Sequence, residues 1–236
     1  MRILITRPRI DAEAFADRLH AEGHSTILEP LIDIAFRDGD DLDLDQVQAL
    51  LFTSANGARA AARRTRARDI PVLAVGAATA GEAAALGFKT VKESAGDGVE
   101  GLAAHVRAIL KAEAGVLLHP TGTATAGDLR AILRPFGYSV RTEVIYDAHA
   151  SDALSGAASA ELSAGLIDAA TFFSQRTAGI FAALLEEGGL TSACAKMTAY
   201  VLSESVAKPL SALKFRGIFV ARRPALDAMV EMIGRA

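Results

Sequence analysis

The sequence contains little cysteine and no long apolar run. Cys194 is the only cysteine among 236 residues, so an internal disulfide and a thiolate metal cage are both excluded. No run of about 18 apolar residues occurs, which predicts that no segment spans a membrane. The first residues, Met1 to Pro8, hold too few apolar positions for a signal peptide and predict a first strand. We therefore expect a cytoplasmic protein.

Motifs for metals, nucleotides and nucleophilic serine are also missing. The five histidines show neither i, i+4 pairing nor clustering with carboxylates, so surface or packing roles are favoured over a metal site. Neither the P-loop pattern nor the G-x-S-x-G elbow occurs. Gly96 to Gly101 matches G-x-G-x-x-G, but the next strand, Val116 to Leu118, is followed by His119 and Pro120 instead of a ribose-binding acid. A glycine-rich helix entry is favoured there, and we predict no metal and no cofactor.

The overall composition is that of a well-packed protein without a strong charge. The formal net charge is −3, which argues weakly against nucleic acid as a partner. The net charge does not exclude a small anionic ligand, because the binding of such a ligand depends on nearby hydrogen-bond donors and not on the total charge. Apolar residues make up 51% of the chain, and 236 residues allow one large or two modest domains, each with its own core.

Two stretches of similar pattern stand out in what is present. Leu50 to Gly57 is an apolar run that ends in hydroxyl and amide side chains and leads directly into an alanine-rich helical pattern. Ala170 to Ala178 repeats this arrangement about half a chain later. Each predicts a buried strand that delivers its end to a helix N-terminus, where free N–H groups favour anions. Two such ends, if they face each other, would form a cleft lined with donors.

Strands and helices alternate along the whole chain, which predicts an α/β fold with parallel sheets covered by helices. Shifts of 114, 120 and 127 residues superpose local segments in the same order, for example Phe52-Thr53-Ser54 on Phe172-Phe173-Ser174. These matches indicate a duplicated α/β unit. Two polar stretches, Arg37 to Asp45 and Ala148 to Ser163, interrupt the pattern, and the first favours a crossing between domains. The second favours either a second crossing or an irregular helix.

Residue patterns alone leave several candidate roles open. Ser54 and Ser174 could bind ligand oxygens or cap their helices, and both roles can coexist in adjacent residues. Arg7 follows the first strand and could clamp a carboxylate, or it could be an ordinary surface arginine. Tyr146 ends a strand at the second crossing, where packing is favoured over chemistry on pattern alone.

Four segments together resemble the uroporphyrinogen-III synthase family. They are Ile3 to Pro8, Phe52 to Gly57, Ala74 to Ala80 and Gly137 to Tyr146, and their order and spacing extend across nearly the whole chain. The resemblance implies two doubly wound parallel-sheet α/β domains, the first discontinuous, joined by two crossing strands. Mapped onto this chain, domain one spans 1–35 and 150–236, and domain two spans 36–149. The crossing strands would lie near residues 32–37 and 144–149.

The resemblance also implies an activity. The family are cyclising hydro-lyases of tetrapyrrole and heme biosynthesis, which convert hydroxymethylbilane to uroporphyrinogen III with inversion of ring D and loss of water. The reaction passes through an azafulvene and a spiro intermediate, needs no metal or redox cofactor, and uses a usually monomeric enzyme. By this resemblance Tyr146 matches a tyrosine that faces the cleft and assists departure of the substrate hydroxyl.

The pattern of polar residues at strand ends, together with the resemblance, predicts the substrate-binding groups. They are Thr6, Arg7, Ser54, Asn56, Gly76, Thr79, Ser174 and Ser205. Two positions depart from the family pattern. Glu204 adds a negative charge where the family commonly has a neutral turn, and Thr121-Gly122 lacks a cation that the family often has. The alternative is a non-catalytic, two-lobed binding protein for a small anionic ligand.

Overall fold

The structure, a computed structural model, describes residues 1–94, 98–124 and 127–234. Strands and helices alternate through these ranges. The strands are β1 (Arg2–Ile5), β2 (Ser25–Leu28), β3 (Ile32–Phe36), β4 (Val47–Phe52), β5 (Val72–Ala74), β6 (Val91–Glu93), β7 (Val116–Gly122), β8 (Val140–Ala150), β9 (Ala169–Phe172), β10 (Thr198–Val201) and β11 (Gly217–Val220). The helices are α1 (Arg9–Ala21), α2 (Ala55–Arg64), α3 (Gly76–Ala85), α4 (Gly98–Ile109), α5 (Leu129–Leu133), α6 (Gly156–Ala164), α7 (Gln175–Glu187), α8 (Glu204–Ala207) and α9 (Leu226–Ile233).

The chain divides into two compact units. Unit 1 comprises Met1–Asp33 and His149–Ala236, and unit 2 comprises Ile34–Ala148. The chain thus passes from unit 1 to unit 2 within β3 and returns within β8. The described residues form a five-stranded and a six-stranded sheet, and the prediction of an α/β fold with two mainly parallel sheets is confirmed.

Unit 1 contains a sheet with the strand order β11-β10-β9-β1-β2. Each strand of this sheet is parallel to its neighbours, with Ile3 opposite Thr26 on one side and Ala169 on the other. The strand order reverses between β1 and β9: β2 lies on one side of β1, whereas β9, β10 and β11 lie on its other side. A ligand site in such a sheet is expected at the carboxyl ends of these two strands.

Unit 2 contains the order β3-β8-β7-β4-β5-β6. The five strands β8, β7, β4, β5 and β6 are parallel to one another. Strand β3 is antiparallel to β8, as two backbone hydrogen bonds at the two ends of the pair show. The Arg37 N–H donates to the Ile145 carbonyl, and the Ser151 N–H donates to the Leu31 carbonyl. The order reverses between β4 and β7, so the carboxyl ends of β4 and β7 are the expected ligand position in this unit.

Side-chain alternation explains why helices cover both faces of each sheet. Successive residues of a strand point to opposite faces. In β1, Leu4 packs into the cluster around α7, whereas Ile3 and Ile5 pack with residues of α1 and α9. In β4, Leu50 and Phe52 pack with α2 and α3, whereas Ala49 and Leu51 pack with α4 and α5. Both faces are therefore buried, as parallel sheets require.

Three sequence-based element boundaries differ from the structure. The short apolar segment after Gly87 predicts a strand at Phe88 to Val91. The structure instead has this strand at Val91–Glu93, because the Phe88 ring packs edge-on to Phe52 in the core. The sequence also predicts one helix from Val206 to Leu213. The structure instead has the short helix α8, followed by a 3₁₀ turn at Lys208–Leu210, where Pro209 lacks an N–H group. Within Ala148 to Ser163, a regular helix, α6, begins at Gly156.

The described ranges contain no helix with the length and apolar character needed to cross a membrane. Within those same ranges, no group of three or more His, Cys, Asp or Glu side chains is placed to hold a metal ion.

Candidate functional site

Ser54 stands between β4 and α2, at the point where the strand order of unit 2 reverses. Its backbone is extended, with φ −154° and ψ 155°, and its Oγ accepts a hydrogen bond of 3.1 Å from the Gly57 N–H. Ser54 is therefore the N-cap of α2, which satisfies one of the free N–H groups of the first turn. That turn contains no acidic residue, so the positive end of the helix dipole is not offset by a carboxylate of its own.

The Tyr146 hydroxyl lies 2.9 Å from the Ser54 Oγ. Tyr146 belongs to β8, is only 6% exposed, and its ring packs within the core cluster of α2 and α3. Either oxygen can donate in this pair, since each hydroxyl is both donor and acceptor. The ring of Tyr146 is therefore packed in the core, while its hydroxyl has a polar partner.

Gly122 provides the space for the Tyr146 ring. The two residues are partners in the parallel pairing of β7 and β8, where the register shifts between Thr121 and Gly122. A Cβ atom built on Gly122 would lie 2.5 Å from Cε2 and 2.6 Å from Cζ of Tyr146. The Thr123 N–H donates to the Tyr146 carbonyl at 3.2 Å. Sequence reasoning missed this role of Gly122, because the contact joins residues 24 positions apart.

His119 and Pro120 of β7 contact the segment around Ser54. The His119 Nε2 lies 3.2 Å from the Thr53 Oγ1. A Cβ atom on Gly57 would lie 2.9 Å from the Pro120 carbonyl oxygen, so the helix entry approaches β7 closely. His119 is 2% exposed, and this burial lowers its pKa to about 4, while the charge of Asp128 acts in the opposite direction. His119 is therefore neutral at pH 7.

Three other predicted residues of unit 2 lie on α2 and α3. The Asn56 Oδ1 accepts from Arg59 at 3.0 Å, and Arg59 also forms two bonds of 2.9 and 2.7 Å to Glu82. Asn56 is thus part of a connection between the two helices. Gly76 begins α3 with φ +69° in open space, a conformation that favours glycine. Thr79 is buried within the same helix.

The four predicted residues of unit 1 differ in accessibility. Thr6 is completely buried, and its hydroxyl donates to the Thr171 carbonyl at 2.7 Å. In this position the hydroxyl bonds to the neighbouring strand β9. Ser174 is the N-cap of α7, with its Oγ 3.1 Å from the Thr177 N–H and 2.7 Å from the Thr177 Oγ1. Ser205 is exposed and lies 2.9 Å from the Ser203 Oγ.

Arg7 lies at the end of β1, beside the strand-order reversal of unit 1. Its guanidinium carbon is 4.2 Å from the centre of the Phe173 ring, and one of its nitrogens is 3.6 Å from an Asp11 oxygen. Phe173 in turn meets Phe15 edge-on, with ring centres 5.1 Å apart. Stacking on an aromatic ring holds a guanidinium in place while its edge can still bind a carboxylate. The side chain is 18% exposed.

The remaining sequence motifs add little to these sites. Gly96 and Asp97 of the G-x-G-x-x-G match lie outside the described residues, and Gly98 begins α4 with φ +66°. Glu204 is exposed in the first turn of α8, where a carboxylate suits the helix dipole. The negative charge of Glu204 is therefore explained by its place at the start of α8.

Comparisons with known proteins agree on one family. A family model described as uroporphyrinogen-III synthase HemD matches residues 13–231. A putative uroporphyrinogen-III synthase of Methanocaldococcus jannaschii is 37% identical over 57 residues. That alignment covers 24% of this chain and 24% of the relative, so it spans about a quarter of the relative's length.

Solved structures of similar fold cover almost the whole chain. The uroporphyrinogen-III synthetase of Helicobacter pylori 26695 has a TM-score of 0.64 at 18% identity, over 99% of this chain and 98% of that one. A mutant uroporphyrinogen III synthase of Thermus thermophilus has a TM-score of 0.51 at 20% identity, over 99% of this chain and 97% of that one. At these identities the likeness establishes the fold.

Proposed function

The chain belongs to the uroporphyrinogen-III synthase family, and from this premise we propose that it cyclises hydroxymethylbilane to uroporphyrinogen III. The proposed reaction inverts ring D and releases one water molecule, which makes the protein a cyclising hydro-lyase of tetrapyrrole and heme biosynthesis. The proposal includes a monomeric, cytoplasmic enzyme that uses no metal or cofactor and has no nucleic-acid or membrane partner.

The Tyr146 hydroxyl at the strand-order reversal of unit 2 is the observation that supports this proposal most. A phenol at this position can donate a proton, and the neighbouring Ser54 hydroxyl at 2.9 Å can stabilise the oxygen that is left. The N-terminus of α2 adds a positive field at the same place, without an acidic residue in its first turn. These features suit a reaction that develops negative charge on a leaving oxygen.

In the proposed first step, Tyr146 assists the departure of the substrate hydroxyl. The carbon–oxygen bond breaks, its electron pair stays on the oxygen, and this oxygen takes the phenolic proton and leaves as water. The pyrrole nitrogen supplies electrons to the remaining carbon, which produces the cationic azafulvene. After attack through the spiro intermediate and reclosure, the new pyrrole loses a ring proton as it regains aromaticity. That proton returns to the phenolate and restores the enzyme.

Neutral donors and one stacked cation suit a substrate that carries eight carboxylates. In the proposed complex, the residues that contact these carboxylates are Arg7, Asn56, Gly76, Thr79, Ser174 and Ser205. Hydroxyl and N–H donors bind anions without the desolvation of many buried ion pairs. Removing any one neutral hydroxyl should weaken binding by about 1 kcal/mol, so the contacts act together.

A coupled assay that supplies hydroxymethylbilane tests the proposed activity. Purified protein is incubated with substrate in the presence of EDTA, and the I and III isomers of the product are separated. We expect mainly the III isomer, formed faster than the spontaneous I isomer and unaffected by EDTA. If only the I isomer accumulates while the protein still binds the substrate, the chain is a binding protein and the synthase proposal fails.

A further inference from the structure

We propose that Ser54 and Gly122 are positioning residues for Tyr146, and that Ser54 acts through the phenol instead of through its own contact with a substrate carboxylate. This inference rests on the proposed function, which it deepens. It also replaces the sequence-based interpretation of Ser54 as a substrate-binding residue. Three observations support it: the bonding capacity of the Ser54 hydroxyl, the space around the Tyr146 ring, and the attachment of the helix entry to β7.

The Ser54 hydroxyl already has two partners. Its oxygen accepts from the Gly57 N–H at 3.1 Å and lies 2.9 Å from the Tyr146 oxygen. A hydroxyl has one proton to donate, so when Ser54 donates to Tyr146 it has no proton for a carboxylate. Donation in this direction leaves the phenolic proton for the substrate oxygen. A phenol is a better hydrogen-bond donor than an alkyl hydroxyl, because it is the stronger acid. When a substrate oxygen is present, the phenol therefore donates to that oxygen and Ser54 donates to the phenol.

The same bond stabilises the phenol after it has lost its proton. A hydrogen bond to an ionised acceptor is roughly twice as strong as one between neutral groups. The Ser54 hydroxyl therefore interacts more strongly with the phenolate that forms in the proposed first step than with the resting phenol. An interaction that strengthens along the reaction raises kcat, whereas a contact that is equal in both states changes KM.

Gly122 fixes the direction of the ring. The ring lies against its Cα, so closely that even a methyl group would approach ring atoms to 2.5 Å. Contacts this short between carbon atoms are not tolerated, so any side chain at position 122 must displace the ring. Since the ring is held within a well-packed cluster, it cannot shift without moving its hydroxyl away from Ser54.

The helix entry that carries Ser54 is itself attached to β7. Thr53 contacts His119, and Gly57 lies against the Pro120 carbonyl. These contacts flank Ser54 on both sides along the chain, and the two β7 residues are neighbours in sequence. The serine, the glycine and the phenol are thus held by three adjacent strands, β4, β7 and β8. Positions fixed in this way on regular elements suit a group that must hold one orientation.

A double-mutant cycle between Ser54 and Tyr146 tests the inference. We expect Ser54→Ala to lower kcat about fivefold to tenfold, as for loss of one hydrogen bond, with KM changed by less than about twofold. In a Tyr146→Phe background the same change should alter kcat by less than about twofold, because the group through which Ser54 acts is gone. Ser54→Thr retains a hydroxyl and should restore most of kcat.

Two further variants separate positioning from loss of the helix cap. Ser54→Gly removes the hydroxyl but is well tolerated at an N-cap, so it should lower kcat as Ser54→Ala does while folding normally. Gly122→Ala should lower kcat without raising KM. A Ser54 variant that raises KM and leaves kcat unchanged would assign Ser54 to substrate binding and overturn the inference. So would an undiminished effect of Ser54→Ala in the Tyr146→Phe background.

A spectroscopic measurement keeps this test independent of the proposed activity. In protein labelled with ¹³C at the Cζ of tyrosine, the three resonances belong to Tyr138, Tyr146 and Tyr200, and Tyr146→Phe identifies its own by loss. We expect Ser54→Gly to shift the Tyr146 resonance alone. An unchanged Tyr146 resonance would refute the positioning role, whether or not the protein makes uroporphyrinogen III.

Discussion

Single polar residues at the strand ends combine structural and chemical roles in this chain. Ser54 and Ser174 cap their helices with the same 3.1 Å bond to the N–H group three residues later. Ser54 in addition contacts a tyrosine hydroxyl. Thr6, which follows β1, directs its hydroxyl to a carbonyl of the neighbouring strand. Residue type at a strand end therefore does not determine whether a hydroxyl is available to a ligand.

His119 should make the stability of the fold depend on pH. Burial lowers its folded-state pKa to about 4, whereas an unfolded histidine has a pKa near 6.5. Between these values the unfolded chain binds a proton that the folded chain does not, so stability rises with pH across this window and falls as pH drops towards about 4. The full effect is up to about 3 kcal/mol at pH 4 relative to pH 7.

Urea unfolding of the wild type and of His119→Gln from about pH 4 to 7 measures this effect. The glutamine can still bond to Thr53 but does not titrate in this range. We expect the free energy of unfolding of the variant to depend less steeply on pH between about 4 and 6.5 than that of the wild type. Parallel profiles for the two proteins would show that His119 is not the group responsible.

At the scale of elements, Arg68 joins the ends of two helices. Its guanidinium donates to the carbonyls of Ala62 and Thr65 at the end of α2 and of Leu86 at the end of α3, at 2.7 to 3.1 Å. It also lies 4.9 Å from the centre of the Phe88 ring. The last carbonyls of a helix have no partners within it, so one planar, multiply donating side chain satisfies acceptors from both.

Arg68→Lys should therefore be strongly destabilising although it preserves the charge. A lysine cannot reproduce the fork of donors, and the carbonyls it leaves unbonded should lower the free energy of unfolding by about 2–3 kcal/mol. Arg66→Lys, two residues away on a less buried side of the same loop, is the matched control and should change it by less than about 0.5 kcal/mol. Equal effects in urea unfolding would contradict this account of Arg68.

The sequence predicted the elements better than the contacts between them. Alternating apolar runs and alanine-rich helical patterns identified the strands and helices, because strand burial and helix capping leave local signals. The Arg68 contacts and the displaced strand after Phe88 depend on tertiary packing, which local patterns do not encode. Likewise, the sequence indicated Tyr146 through family resemblance, but it could not pair Tyr146 with Ser54, 92 positions earlier.

At the scale of the whole molecule, each unit has its own sheet and its own cores. Within the described residues, each buried core cluster consists of residues from one unit only. The strand-order reversal in each unit lies where a capped helix follows a buried strand, at Ser54 in unit 2 and at Ser174 in unit 1. The internal sequence repeat identified this correspondence, because the two strand–helix junctions share Phe-Ser spacing and the same cap.

That the Tyr146 hydroxyl assists departure of the substrate hydroxyl is a claim that a comparison of two variants can check. Tyr146→Phe and Tyr138→Phe each remove a hydroxyl from a buried tyrosine of unit 2, and the Tyr138 hydroxyl donates to the Leu110 carbonyl at 2.8 Å. The measurement is kcat for formation of the III isomer from hydroxymethylbilane. We expect Tyr146→Phe to lower it by about 10²-fold, the low end for general acid catalysis because the pyrrole also activates the leaving group, and Tyr138→Phe to change it less than about twofold. Full turnover and full isomer selectivity in folded Tyr146→Phe would contradict the claim.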